Sequence, residues 1–551
     1  MQKIIPAQYQ PELPMKKLIL EEAPGEEAVP MDVVFVGGGP AGLAGAIELA
    51  RLVKKDAENG GDLGELEIGV LEKAERLGDH CLSGAVVNPL ALRELFPELE
   101  DKDYPLRTPV TRDSVYFMTE SASYRIPTPP TMKNHGNYVA SICEIVRWLG
   151  QKAEELGINL FTGFPADSLL VDGKRVQGVR TTPGGLDKEG NPGGAYMPPT
   201  DVLAKVTVLS EGTRGTLTQA FVDWQGIRSE NPQIYALGVK EVWEIKKPLD
   251  SVIHTMGWPL PRNAFGGSWC YPMADNLISM GLVVGLDYRE HSLDVHVLMQ
   301  KLKKHPLFRN LLANGEMLEW GAKTIPEGGY YSLPERLHGD GALIVGDAAG
   351  FVDVPSLKGI HYSMMSGIFA ARAIFQAIKA GDTSSQALKK YDDLVGSSII
   401  RSDLYRTRNM RPAFKSGFLA GGVKAALMTL TGGAFPGERI AVEPDADEPR
   451  EVVPSEEFTP EKGVTIDKLD GVFASGNNTR DDMPSHLIAA DDVPIEVAKF
   501  YEHMCPAAVY EVQDGKLVVN FSNCVDCKTT DILGPRWTPR EGSAGTKYKR
   551  M

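Results

Sequence analysis

Cys505-Pro506 and the later run Cys524-Val525-Asp526-Cys527-Lys528-Thr529-Thr530 carry three thiols in a pattern that suits iron and sulfide. A four-iron cluster needs thiolates that surround a small cube, and a C-x2-C-x2-C turn with one remote Cys-Pro supplies the usual four. Here Thr530 stands at the third turn position, so Cys505, Cys524 and Cys527 are the candidate metal ligands. A threonine hydroxyl is a hard, high-pKa ligand, which leaves three outcomes open: a three-iron centre, a four-iron centre with one iron on solvent or oxygen, or no cluster. The same thiols also suit a structural zinc with His503 or His486 as fourth ligand, or ordinary buried positions.

A second chemical signature lies near the start. Met31 to Val36 is an apolar run, followed by Gly37-Gly38-Gly39-Pro40-Ala41-Gly42 and a helical stretch from Leu43 to Val53. In this strand, turn and helix, Gly37 permits the turn, Gly39 lets backbone approach a pyrophosphate, and Gly42 lets helix pack on strand. The phosphates would sit on the helix N-terminus, where free amides and the dipole favour anions. A second strand, Leu66 to Leu71, ends in Glu72, where a carboxylate accepts ribose hydroxyls. Far downstream, Ala342 to Val345 runs into Gly346-Asp347 and a helix, the second half of a two-part FAD site. Asp347 would meet cofactor hydroxyls or cap the helix.

The chain has 551 residues, is 42% hydrophobic and carries a net charge of -15. It is long enough for two or three domains, and its acidity excludes general nucleic-acid binding and attachment to anionic lipid by charge alone. Six scattered or clustered cysteines make no disulfide framework, so a reducing compartment is expected. Residues 1 to 30 lack the features of a secretory or transit signal. Phe414 to Pro436 is the most membrane-like stretch, with Phe418, Leu419, Val423, Leu427, Met428, Leu430 and Phe435 broken by lysines and glycines. It is too interrupted to span, and its apolar face would lie in one leaflet or pack in the core.

These features together resemble the electron transfer flavoprotein:ubiquinone oxidoreductase family over nearly the whole chain. The specific phrases are His80 to Ala85 (HCLSGA), Asn134 to Tyr138 (NHGNY), Gly257 to Leu260 (GWPL), Gly266-Gly267-Ser268, Gly281 to Tyr288 (GLVVGLDY), Glu327-Gly328-Gly329, Lys358 to His361 (KGIH) and Cys505-Pro506-Ala507. The resemblance implies FAD, an iron–sulfur cluster, a quinone bound by the backbone of Gly266 and Gly267, and electrons arriving from reduced electron transfer flavoprotein. Cys505, Cys524 and Cys527 map onto three cluster ligands, and Thr530 takes the fourth's place. Near the flavin, Asp353 and Ile360 replace the family's Asn and Thr. Both changes should lower the flavin potential, making menaquinone a candidate acceptor beside ubiquinone. The segment between Arg125 and His135 is shorter and less apolar than the family's membrane-facing loop.

The expected architecture is mixed α/β and α+β: a discontinuous FAD-binding dinucleotide fold, a β-rich quinone-binding domain and a small C-terminal ferredoxin-like domain. The divisions are an extension (1–30), FAD parts (31–100, 136–222, 338–400), a quinone- or membrane-facing segment (101–135), the β-rich domain (223–337), a membrane-surface segment (401–440), an acidic linker (441–467) and the cluster domain (468–551). The expected function is a peripheral oxidoreductase on the cytoplasmic face of a bacterial inner membrane, with the mitochondrial inner membrane as the second alternative, partnered by electron transfer flavoprotein, membrane quinone and the bilayer surface. The competing class is an FAD-dependent monooxygenase or prenyl reductase using NAD(P)H, or a cluster-less variant of the family.

Overall fold

Val33, Val34, Phe35, Val70, Val206 and Val208 are buried, the composition of parallel strands covered on both faces. The computed structural model describes residues 2–455, 458–490 and 492–551, with the side chains of Phe418 and Leu419 also outside the described part. Val29–Val36 lies parallel to both Ile68–Glu72 and Asp201–Leu209, and Asn159–Thr162 extends the sheet beyond Ile68–Glu72. Ala342–Ile344, more than a hundred residues later, pairs parallel with Asp201–Leu209. This rejoining brings the two predicted halves of the dinucleotide site to neighbouring strand ends.

The helix Pro40–Glu58 follows the glycine turn and packs against Ile360–Lys379. Their approach is close: a Cβ on Gly367 would lie 2.1 Å from the Ala41 carbonyl oxygen, so no larger residue fits there.

A seven-stranded sheet forms the second layer, in the order Glu316–Pro326, Tyr235–Glu244, Leu277–Gly285, Gly266–Pro272, Val252–Gly257, Asp113–Met118, Ser123–Ile126. Its neighbours are antiparallel except Val252–Gly257 with Asp113–Met118. The segment from 101 to 135 therefore supplies two edge strands here. Against this sheet packs the helix Val295–Lys304, whose Lys303 forms a fully buried ion pair with Glu241 at 2.9 Å.

The cysteine domain shares the core of this second sheet, with Cys505, Cys524 and Cys527 packed among Val239, Met280 and Trp320. Its helix Ile495–Met504 ends at Cys505, and the hairpin Tyr510–Gln513 with Lys516–Val519 returns the chain towards Cys524. The Thr324 amide and hydroxyl both donate to the Cys527 carbonyl, at 2.9 and 2.8 Å, tying the cysteine turn to strand Glu316–Pro326.

Candidate redox site

One cavity of about 910 Å³ connects almost every predicted cofactor residue, near the top of the roughly 300–1,000 Å³ that ligand sites span. Gly37, Gly39, Glu72, Gly346, Asp347, Ile360, Gly266 and Gly267 all line it. The phrase His80 to Ala85 forms a wall, as do Pro129 to Met132 from the segment preceding Asn134.

The three glycines do different things. Gly37 adopts φ +114°, and a Cβ there would lie 2.4 Å from the Ser210 carbonyl oxygen; one on Gly42 would lie 2.2 Å from that of Gly37. Both are needed for the turn to close against its neighbours. A Cβ on Gly39 would meet nothing within 4 Å, so this residue leaves open space at the helix start, where an anion is favoured. The Glu72 carboxylate accepts from the amides of Gly38 at 3.0 Å and Ala74 at 2.8 Å, which holds it at the strand end, while burial pushes its pKa up. Asp347 accepts from the Ser363 hydroxyl at 2.8 Å, and burial raises its pKa as well. Two carboxylates on the cavity wall and open space at the helix start fit an extended FAD.

Asp353 is placed differently from expectation. It is not among the lining residues, although Val352 and Val354 are. Its backbone bridges to Lys358 in both directions and its carboxylate accepts from the Ser356 amide at 3.3 Å, so it closes a turn. Asp353 thus stands behind the cavity wall, whereas Ile360 meets the cavity itself.

Sequence reasoning missed three polar lining groups. Lys358 has its ammonium on the Ser356 carbonyl at 2.7 Å, and burial pushes its pKa down to about 8. Tyr271 and His254 share a hydrogen bond of 2.6 Å, and burial lowers the His254 pKa to about 4. A histidine inside the otherwise apolar strand Val252–Gly257 was the available signal for His254, whereas Lys358 lies in a turn that gave none.

Beyond Gly266 and Gly267 the cavity reaches Met410, Phe414 and one face of the helix Phe418–Leu430, through Gly422, Ala425, Ala426 and Thr429. Val423, 62% exposed, and Leu427 lie on the outer face of that helix, Leu430, 83% exposed, stands at the cavity rim, and Met428 is buried. Leu427 and Met428 therefore do not form a single face. No described helix is long and apolar enough to cross a membrane.

Cys505, Cys524 and Cys527 are all buried, and burial pushes the Cys505 thiol up to about 11 and the other two upward as well. Cys505 and Cys524 are each close enough to feel the charge of Cys527. Buried thiols become thiolates when a cation compensates them, and this donor set fits iron and sulfide with one position not filled by sulfur. Thr530 lies at that end, its hydroxyl hydrogen-bonded to Tyr510 and donating to the Pro535 carbonyl at 3.1 Å. The centre and the cavity meet through Lys73, the residue after Glu72, which reaches Asp526 at 2.6 Å.

A split parallel sheet with a glycine turn, a second β-layer and one shared cavity defines a flavin-dependent oxidoreductase fold. The same fold is found in a geranylgeranyl bacteriochlorophyll reductase-like protein from Thermoplasma acidophilum (19% identity, TM-score 0.57, covering 74% of this chain and 98% of that one) and in a flavin-dependent brominase (18%, 0.51, 74% and 94%). Two family profiles match: the ubiquinone-binding region of ETF-QO at residues 235–325, and the 4Fe-4S region of electron transfer flavoprotein-ubiquinone oxidoreductase at 462–549. The chain belongs to the electron transfer flavoprotein-ubiquinone oxidoreductase family. It is 38% identical to the member from Pseudomonas aeruginosa, covering 95% of this chain and all of that one, and 38% identical to the mitochondrial one of Oryza sativa subsp. japonica (96% and 94%). The human mitochondrial member is 36% identical (94% and 89%).

Proposed function

We propose that this chain is a peripheral membrane oxidoreductase that accepts electrons from reduced electron transfer flavoprotein and delivers them to a membrane quinone, ubiquinone or menaquinone, at the cytoplasmic face of a bacterial inner membrane. The observation that carries this is the continuity of the cavity from the Gly37–Gly42 turn, past Gly266 and Gly267, to the helix Phe418–Leu430 whose other face is exposed and apolar. When bound, FAD supplies an acceptor that can pool electrons, and the iron–sulfur centre a one-electron carrier.

The chain's own groups do the rest. Gly39 and the helix start receive the pyrophosphate, while Glu72 and Asp347 meet cofactor hydroxyls. Gly266 and Gly267, on the cavity wall, receive a quinone head, and the apolar lining of Ala425 and Ala426 admits its tail. Tyr271, hydrogen-bonded to His254, stands in the same wall as a group able to move a proton.

Anaerobic mixing with reduced electron transfer flavoprotein should bleach the flavin absorbance, and a short-chain quinone should restore it. Bleaching by NAD(P)H but not by the flavoprotein would move the chain to the prenyl-reductase or monooxygenase class.

A further inference from the structure

The centre formed by Cys505, Cys524 and Cys527 lacks a fourth sulfur, and the buried groups around it differ sharply in how occupied they are. Thr530 has its hydroxyl committed to Tyr510 and the Pro535 carbonyl. Asp526 is held by Lys73 at 2.6 Å, Arg540 at 3.1 Å and the Trp537 indole N–H at 3.0 Å. His503 is only partly buried, and its ring faces His291 at 6.2 Å between centroids.

His486 stands apart. It is 2% exposed, and neither ring nitrogen has a hydrogen-bond partner. Leaving both nitrogens of a buried imidazole unpaired costs free energy, so such a group calls for an explanation. A ligand nitrogen of this ring, the Cys524 sulfur and an Asp526 oxygen all lie within 4.8 Å of one another. The ring is set edge-on against Phe521 and Trp537, with centroids 6.2 and 6.0 Å away. Its backbone carbonyl accepts from the Thr538 amide at 2.8 Å and hydroxyl at 3.0 Å. Packing and backbone bonds thus orient a donor that has no other task.

We propose that His486 is the fourth protein ligand of the iron–sulfur centre, binding through an imidazole nitrogen the iron that Thr530 leaves without a thiolate. The proposal rests on the family reading that this domain holds such a centre, and it replaces a solvent-bound or vacant corner with a Cys3His set. Because a neutral nitrogen stands in for an anionic sulfur, the centre carries less negative charge and its potential lies above that of an all-thiolate equivalent.

The test uses the full chain purified anaerobically, with iron and sulfide analysis, redox titration, and pulsed EPR of the dithionite-reduced protein. The expected result is a four-iron centre with a hyperfine coupling from directly bound ¹⁴N. Thr530→Cys should keep the iron count, abolish that coupling and shift the midpoint to lower potential. His486→Ala, treated with ferricyanide as one-electron oxidant, should release one Fe(II) per cluster and give the oxidised three-iron signal, which the parent treated alike should not. Since His486→Ala removes a core ring and is at risk of misfolding, the parent spectrum and Thr530→Cys decide independently. A four-iron centre without bound nitrogen, or a three-iron centre in the parent protein, would overturn the ligand while leaving the family reading intact. Iron-free protein, or stoichiometric zinc, would overturn both.

Discussion

Gly39 differs from its two companions in what a side chain there would touch, and this separates cofactor binding from folding. A side chain at Gly37 or Gly42 runs into backbone, whereas one at Gly39 enters open space beside the helix start. Gly39→Val should therefore leave a folded protein whose FAD affinity falls at least about tenfold, or about 1.4 kcal/mol. Flavin absorbance per chain after dialysis, beside an unchanged circular dichroism spectrum, checks this. The steric constraint at Gly37 and Gly42 was legible because each position in the spacing has a steric meaning. The orientation of Asp353 was not, since a turn hydrogen bond to Ser356 decides it and no pattern announces that bond.

At the scale of elements, the helix Phe418–Leu430 has two surfaces with separate tasks, one lining the cavity and one exposed. Val423→Glu with Leu427→Glu should weaken binding to vesicles at least about tenfold and abolish reduction of a long-chain quinone held in them, while a soluble short-chain quinone is still reduced. High salt should not release the parent protein, and detergent should. Unchanged vesicle binding would make the segment core. The apolar run itself showed where this helix lies, but its weak periodicity could not show which face is wet.

Strand Tyr235–Glu244 carries a different liability. Lys240 is buried with no hydrogen-bond partner for its ammonium, and burial lowers its pKa from 10.5 to about 8. The native state thus disfavours the proton that the unfolded chain keeps, and the penalty is full below about pH 8 and fades towards pH 10.5. Lys240→Met should raise stability at pH 7 by about 3 kcal/mol, with the gain vanishing by about pH 10.5. Denaturant titration at pH 7, 9 and 10.5 measures the trend, and a pH-independent difference would contradict it. A lysine in an apolar strand reads as a solvent-facing residue until the neighbouring strands are known to cover it.

For the whole molecule, the cysteine domain is not an appendage. Its core is continuous with that of the second sheet, and Thr324 holds the Cys527 carbonyl. Stripping the iron should accordingly lower the melting temperature of that sheet by several degrees, because a ligand bound only by the native state stabilises everything folded with it. Calorimetry of untreated and chelator-treated protein would show it, and an unchanged upper transition would mean that the domain unfolds alone. The three-part division could be read from composition, since each part has its own motif. What joins the parts came from residues 73, 324 and 526, distant in the chain and unremarkable in it.

Glu72 and Lys73 are adjacent, yet the first belongs to the cavity wall and the second ends on Asp526, between two of the cysteines. A charge arriving at either end acts on this short link, whose Asp526 end is buried where the medium screens poorly. The two electron stores thus behave like capacitors sharing a plate: filling one changes the voltage at which the other fills, and neither has a midpoint that belongs to it alone.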